Sequence, residues 1–156
     1  MKQFKELKIS SLQRNISQVE KFIEEICADN YISQSYFGNI MLAIEEAVKN
    51  AIIHGNKLDS SKQVTITFQR KRDGLSFTIE DEGMGFNPKE IPNPLDSDET
   101  KGNGVFLILS LADKVSYNSV GNQVELTFSV SSINQETTLS RISKLRSYFN
   151  RQKSFA

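Results

Sequence analysis

Apolar and polar residues alternate in five short stretches of the chain, the period of a strand with one buried face. The stretches cover residues 4–9, 64–68, 75–79, 114–117 and 123–130. An Arg-Asp-Gly turn separates the second from the third, and a Gly-Asn pair separates the fourth from the fifth. Glycine and asparagine at these places are typical of hairpin turns. The pattern therefore predicts a short first strand and two later hairpins.

Apolar residues at helical spacing predict three helices between these strands. The first follows the serine pair at 10–11, whose hydroxyls are candidate N-caps, and runs to about residue 28. The second begins at Ser33 or Ser35 and ends at a Gly-Asn stop signal, residues 55–56. The third is short and covers residues 105–112, directly after a Gly-Asn-Gly.

A long loop lies between the third strand and the third helix. Residues 86–101 carry all three prolines of the chain and many charges. Loops of this length in a compact domain are commonly functional, so this one is a candidate lid. The order β-α-α-β-β-lid-α-β-β predicts an α+β fold: a two-layer sandwich with a mostly antiparallel sheet and helices on one face. We expect one domain over residues 1–130 and a basic, helical C-terminal extension over residues 131–156.

Composition and charge narrow the class of protein. The 156 residues contain nineteen basic and nineteen acidic side chains, so no overall field favours nucleic acid or an anionic membrane. The single cysteine, Cys27, excludes an internal disulfide and a cysteine-based zinc cluster. No apolar run reaches the length of a membrane span. We expect a cytoplasmic protein without direct nucleic-acid binding.

The second helix carries a polar stripe at the border of its apolar face. On a helical wheel, Glu46 and Asn50 lie roughly 40° apart and one turn from each other, so their side chains point the same way. Glu45 and Lys49 fall on the solvated side, at the spacing of an i,i+4 ion pair. Glu46 and Asn50 are either ordinary surface residues or a ligand pair. In the second case Asn50 offers an amide oxygen to a hard cation and Glu46 orients or deprotonates a hydroxyl.

Two glycine-rich elements flank the candidate lid. The run 81–85, Asp-Glu-Gly-Met-Gly, leaves a strand and allows a planar ligand to approach the backbone, with Asp81 as a possible acceptor for an exocyclic amine. The run 102–104, Gly-Asn-Gly, opens a helix, and helix N-termini bind anions. Each element alone is also compatible with a plain turn. Their order with the polar stripe and the lid indicates a nucleotide site.

Three segments resemble an ATPase superfamily. They are LAIEEAVKNAIIHGN at 42–56, DEGMG at 81–85 and GNGVFLI at 102–108. The superfamily is the one shared by DNA gyrase, heat-shock chaperones, sensor histidine kinases and mismatch-repair ATPases. Within it, the chain resembles most the bacterial anti-sigma-factor serine/threonine kinases of the sporulation and general-stress type. The resemblance covers residues 1–130 and implies the histidine-kinase-like ATPase fold.

The resemblance also implies roles for individual residues. It implies Mg²⁺ and ATP bound under the lid, with Asn50 as the magnesium ligand and Asp81 bonded to the adenine amino group. Glu46 matches a general base that acts on a serine or threonine hydroxyl. Lys101 is the only cation beside the second glycine element and is a candidate phosphate contact. The candidate nucleotide-binding set is Asn50, Asp81, Gly83, Gly85, Lys101, Gly102, Asn103 and Gly104.

The function implied by the resemblance is transfer of the γ-phosphoryl group of ATP to a small anti-sigma-factor antagonist. The unphosphorylated antagonist then frees a sigma factor that the kinase otherwise holds. Homodimers joined near the first strand and first helix are implied as well. The alternative is a non-catalytic ATP-binding module that sequesters a partner protein, for which Glu46 would not be needed. A histidine kinase fragment is disfavoured, because the only histidine, His54, lies in the nucleotide helix.

The C-terminal extension lies beyond the resemblance. Leu139, Ile142, Leu145 and Phe149 have helical spacing, and no acidic residue occurs from position 137 onward. A solvated terminal helix that packs loosely on the domain, a partner-docking helix and a membrane-surface helix are all compatible with this pattern.

Overall fold

The computed structural model describes residues 4–72, 74–85, 103–129 and 143–151. Its strands are β1 (Phe4–Ser10), β2 (Gln63–Lys71), β3 (Gly74–Glu80), β4 (Lys114–Tyr117) and β5 (Gln123–Ser129). All five predicted strands are therefore confirmed, with β2 and β3 longer than the alternation alone indicated. The predicted lid at 86–101 lies outside the described residues.

The strands form one sheet in the order β1-β2-β3-β5-β4, and every neighbouring pair is antiparallel. The register aligns the apolar positions of adjacent strands, as in the row formed by Phe68, Phe77 and Leu126. Because side chains alternate between the two faces of a strand, this register gathers the apolar residues on one face of the sheet.

The helices cover that face. They are α1 (Ile16–Asp29), α2 (Gln34–Asn50) and α3 (Asn103–Leu111), followed by a helix over residues 143–151, here called α4. The buried residues of α1 and α2 recur at helical spacing and join the apolar residues of β2, β3 and β5 in one core. The α+β class, the antiparallel sheet and the two layers agree with the prediction.

Two helix starts differ from the prediction. The serines at 10–11 do not cap α1, since a 3₁₀ turn (Gln13–Asn15) separates them from the helix. Instead the Ser11 hydroxyl is buried and donates to the Lys62 carbonyl at 2.7 Å, so the side chain ties β1 to the segment before β2. α3 begins at Asn103, two residues earlier than expected, so Gly104 belongs to its first turn.

The end of α2 continues as a single π-helical turn, Ala51–Gly55, so the helical stretch reaches the predicted Gly-Asn stop. π turns are rare and frequently occur at functional sites. The Asn56 N–H closes the turn on the Ala51 carbonyl at 2.8 Å. The widened turn sets the backbone at Gly55 directly beside the loop that follows β3.

Cys27 is buried, and burial raises the pKa of its thiol to about 12, which makes it an inert packing residue. Among the described residues, no helix is long and apolar enough to cross a membrane.

Candidate functional site

Glu46 and Asn50 lie at the C-terminal end of α2, half-buried and one turn apart. The first turn of α3 packs directly against them. A β-carbon added to Gly104 would lie 3.0 Å from Glu46 Oε2 and 3.5 Å from both Oδ1 and Nδ2 of Asn50. The structure therefore brings together the polar stripe and the second glycine element, which are far apart in the sequence.

The Asn50 amide makes no hydrogen bond to any part of the chain that the structure describes. A half-buried amide without an internal partner keeps its oxygen available to a ligand. Mg²⁺ is usually held by one or two protein oxygens together with phosphates and water. The position and chemistry of Asn50 fit that mode of binding.

Lys49 does not form the expected pair with Glu45. Its Nζ lies 3.7 Å from Glu46 Oε1, an i,i+3 ion pair across the site-facing edge of α2. Glu45 instead faces α1, where burial first and a side-chain hydrogen bond with Glu20 second raise its pKa. The helical wheel predicted the wrong partner for Lys49, because a lysine side chain is long enough to reach a carboxylate on either side of its own position.

The loop after β3 lies against the π turn. The Asp81 N–H donates to the Asn122 carbonyl at 2.9 Å, and Asp81 Oδ1 accepts from the Gly83 N–H at 2.8 Å. A β-carbon at Gly83 would overlap the Gly55 carbonyl oxygen, and one at Gly55 would overlap the Asp81 carboxylate. Gly83 requires glycine for this close approach of two backbones, and Gly55 leaves the space that the Asp81 side chain occupies.

Gly85 lies at the end of the same loop with φ +79°, a conformation that side chains disfavour. A β-carbon there would also overlap the Val120 carbonyl oxygen. Met84 beside it is 95% exposed. The glycines of this loop therefore hold it closely between the end of α2 and the β4–β5 turn.

Asn56 is a further residue of this region that the sequence reasoning treated only as a helix stop. It is buried, and its Nδ2 donates to the Ser11 hydroxyl at 2.7 Å and to the Gln63 carbonyl at 3.0 Å. Its Oδ1 accepts from the Glu82 N–H at 2.7 Å. The side chain thus fixes the Asp81 loop to the ends of two strands. No local pattern in the sequence indicates these long-range bonds.

A small cleft with a cavity volume of about 40 Å³, open to solvent, lies between α2 and β5. Its lining is mostly apolar with a few polar groups. The lining residues are Ala47, Ala51, Ile79, Asp81, Tyr117, Gly121, Asn122, Gln123 and Val124.

Asp81 supplies the acidic group of the cleft. Burial raises the pKa of its carboxyl group, while the hydrogen bond from the Gly83 N–H acts in the opposite direction. A carboxylate that has lost part of its hydration and has spare acceptor capacity is suited to an N–H donor of a ligand. An exocyclic amine in the cleft would provide that donor.

Of the predicted site residues, two are not described by the structure and a third is described only in part. Lys101 and Gly102 lie outside the described residues, and Asn103 is described only as the first residue of α3. Tyr117 and Asn122 were missed by the sequence reasoning although they line the cleft. They lie in the last hairpin, about forty residues from Asp81 in the chain, and only the β3–β5 pairing brings them there.

The chain matches one family model over residues 9–128, the histidine kinase-like ATPase domain. It is 30% identical to an anti-sigma F factor of Bacillus thuringiensis (strain Al Hakam) over 136 residues, which cover 82% of this chain and 93% of the relative. It is 38% identical to an anti-sigma F factor of Clostridium perfringens (strain SM101 / Type A) over 86 residues. That alignment spans about half the length of each chain, 54% in both cases.

Two solved structures share the fold. A crystal structure of the RsbU and RsbW domains of a Mycobacterium tuberculosis protein matches 81% of this chain and 32% of that chain, with a TM-score of 0.59 and 17% identity. A histidine kinase domain of Erythrobacter litoralis matches 84% of this chain and 64% of that chain, with a TM-score of 0.50 and 18% identity. The chain therefore belongs to the histidine kinase-like ATPase family, in the group that contains the bacterial anti-sigma F factors.

Proposed function

We propose that the chain is an ATP-dependent serine/threonine protein kinase that also acts as an anti-sigma factor. One observation supports this most: Glu46 and Asn50 face the first turn of α3 at one side of the site, and Asp81 lies in an apolar cleft on the other. This arrangement provides separate places for a base, for phosphates with a cation, and for an adenine ring.

In this proposal Asp81 accepts a hydrogen bond from the adenine amino group, and the apolar cleft holds the ring. Gly83 and Gly85 keep the loop backbone close to the ligand. Asn50 would hold Mg²⁺, which when bound neutralises charge on the phosphates. The N-terminus of α3 at Asn103 and Gly104, with Gly102 and Lys101 before it, would contact the phosphates through N–H groups and a cationic side chain.

Glu46 is the proposed general base. Its carboxylate would accept the proton of a serine or threonine hydroxyl while that oxygen attacks the γ-phosphorus in line and the bond from this phosphorus to ADP breaks. Because Glu46 and Asn50 are on the same side of α2, the base and the cation ligand are held in a fixed relation before substrate arrives.

The proposed protein substrate is a small anti-sigma-factor antagonist, and the proposed second partner is a sigma factor. The names of the Bacillus and Clostridium relatives support the sigma factor. We also propose a homodimer joined near β1 and α1. β1 lies at an edge of the sheet and carries Phe4, which is 58% exposed, so it offers the apolar contact and backbone groups that a second copy would need.

One observation favours the alternative of a non-catalytic ATP-binding module that sequesters a partner. The Lys49 ammonium lies 3.7 Å from the Glu46 carboxylate, so this carboxylate is already engaged in an ion pair within the protein. A switch of this kind would need Asn50, Asp81 and the glycines, but not Glu46.

The substitution Glu46→Gln separates the two. For a kinase we expect unchanged ATP affinity and a loss of phosphate transfer to the antagonist of at least about 100-fold, the usual effect of removing a general base. Transfer from labelled ATP and equilibrium binding of ATP would be measured on the same preparation. The control is Glu45→Gln, one residue away on the α1 side of the helix, which should transfer at the wild-type rate. Equal transfer by Glu46→Gln and wild type would remove Glu46 from the mechanism.

A further inference from the structure

The turn between β4 and β5, residues 118–122, is held by the side-chain amide of its first residue. Asn118 Oδ1 accepts from the Gly121 N–H at 2.7 Å and from the Asn122 N–H at 3.1 Å. Its Nδ2 donates to Asn122 Oδ1 at 2.6 Å. Asparagine side chains commonly stabilise turns through local bonds of this kind. The orientation of the Asn122 amide is therefore set by Asn118.

Asn122 in turn binds both main-chain polar groups of Asp81. Its carbonyl accepts from the Asp81 N–H at 2.9 Å, and its Nδ2 donates to the Asp81 carbonyl at 3.3 Å. The turn meets the same loop again at Gly85, where a β-carbon would overlap the Val120 carbonyl oxygen. Asp81, Gly121 and Asn122 all line the cleft. The turn and the Asp81 loop are thus held together beside the cleft.

These side-chain bonds have a single possible direction. The series begins at two backbone N–H groups, which can only donate, and ends at the Asp81 carbonyl, which can only accept. Asn118 must therefore present Oδ1 to the N–H groups and Nδ2 to Asn122, and Asn122 must present Nδ2 to Asp81. Replacing either amide by a carboxylate of the same shape removes one donor and leaves two oxygens facing each other.

We propose that Asn118 and Asn122 are positioning residues for Asp81, and that the selection of a 6-aminopurine by the site depends on them. They fix the peptide groups on both sides of Asp81, and the Gly83 N–H holds its Oδ1 at 2.8 Å, so the carboxylate has one direction before a ligand arrives. A carboxylate fixed in this way accepts a well-aligned bond from an amino group and gains nothing from a base without that donor. This selectivity rests on the proposed binding of ATP with Asp81 at the adenine amino group.

Selectivity is measured as the ratio of two affinities, those for ATP and for purine riboside triphosphate, which differs from ATP only in lacking the 6-amino group. Calorimetric titration of both nucleotides with Mg²⁺ gives this ratio for each variant. The wild-type chain should favour ATP at least about tenfold, as expected for a hydrogen bond to a charged group. Asn122→Asp and Asn118→Asp should bring the two affinities to within about threefold of each other. Ser119→Ala, at an exposed position of the same turn, is the matched control and should keep the wild-type ratio.

The ratio separates positioning from a merely structural role. An added negative charge or a loosened turn weakens the binding of both nucleotides alike, so neither changes the ratio. Asn122→Ala removes the same donor without adding charge and should also lose selectivity, which provides the test if Asn122→Asp does not fold. A wild-type ratio in the Asn122 variants, or equal affinities of the wild-type chain for the two nucleotides, would overturn the positioning role.

Hydrogen exchange at the Asp81 N–H, followed by NMR, tests the same contacts without nucleotide. Because this N–H donates to the Asn122 carbonyl, it should exchange severalfold faster in Asn122→Asp than in wild type and Ser119→Ala. Equal exchange in all three would overturn the positioning of Asp81 by Asn122. A wild-type chain that binds no ATP would overturn the proposed function instead, and the exchange rates would then still decide whether Asn122 positions Asp81.

Discussion

At the residue scale, the chemistry of the site comes from a few polar side chains held at the border of an apolar core. Asn50 has an amide without a partner in the described structure, and Asp81 has a carboxyl group whose pKa burial raises. Leaving such groups incompletely satisfied costs stability in a protein without ligand. A ligand that supplies a cation to the Asn50 amide and an N–H donor to the Asp81 carboxyl group offsets this loss of stability.

Asn56 provides a prediction on stability. Asn56→Ala removes three hydrogen bonds at a buried position and leaves the Ser11 hydroxyl and the Glu82 N–H without that partner. We expect the free energy of unfolding to fall by about 2–4 kcal/mol. Urea unfolding followed by circular dichroism measures it. Asn150→Ala on the exposed side of α4 is the control and should change stability by less than about 0.5 kcal/mol. A loss below about 1 kcal/mol in Asn56→Ala would show that the network contributes little.

Sequence reasoning identified Glu46, Asn50, Asp81 and the glycines as candidates because each carries a local signal of spacing or backbone freedom. Their roles remain predictions. Asn56, Tyr117 and Asn122 carry no such signal, because their contacts join residues far apart in the chain. The helical wheel also did not predict the ion pair of Lys49 with Glu46, because a wheel gives the direction of a side chain but not its length.

At the element scale, α2 and its π turn have different requirements for glycine. Gly38 lies on the exposed side of α2, and a β-carbon there would meet nothing within 4 Å. Gly55 closes the π turn, where a β-carbon would overlap the Asp81 carboxylate. The two positions form a matched pair within one continuous helical stretch.

Gly55→Ala should displace the Asp81 carboxylate and break its bond to the Gly83 N–H. We expect ATP affinity to fall at least about tenfold, which corresponds to about 1.4 kcal/mol. Gly38→Ala should leave ATP affinity unchanged and stabilise the protein by about 0.5–1 kcal/mol, because alanine restricts the unfolded chain. Isothermal titration calorimetry and thermal unfolding give both quantities. Wild-type affinity in Gly55→Ala would contradict the close fit between the π turn and the loop.

The order and type of the elements were predictable, since each has a clear period and clear turn residues. The start of α1 was not, because Ser11 bonds across to Lys62 rather than to its own helix. The start of α3 was also wrong by two residues, since packing of Gly104 against α2 extends the helix into the glycine element. In both cases a tertiary contact decided a boundary that local propensity left open.

At the scale of the whole molecule, one sheet with helices on one face places the proposed site between the end of α2, the start of α3 and the last hairpin. The sequence order of the strands differs from their order in the sheet, since β5 lies beside β3 and β4 forms an edge. Because β5 lies beside β3, the β4–β5 turn lies next to Asp81. The family was recognisable from three short motifs, and the family model and the relatives confirm it.

The position of α4 was not predictable from the sequence. Its helical spacing was visible, and a terminal helix packing loosely on the domain was one of three arrangements compatible with that spacing, but the residues that it would contact were not. The contact of Tyr148 with Phe106 places α4 against α3. Within the described residues α4 is therefore neither detached from the domain nor fully solvated.

The central claim is that Mg²⁺ and ATP bind in the cleft that ends at Asp81, and calorimetric titration of ATP in the presence of Mg²⁺ tests it most directly. The wild-type chain should bind at one site, and Asp81→Asn should bind at least about tenfold more weakly, since it loses a charge-assisted hydrogen bond. Asp59→Asn, an exposed aspartate in the loop before β2, should bind as wild type does. No binding by the wild-type chain, or equal affinity in Asp81→Asn, would contradict the account.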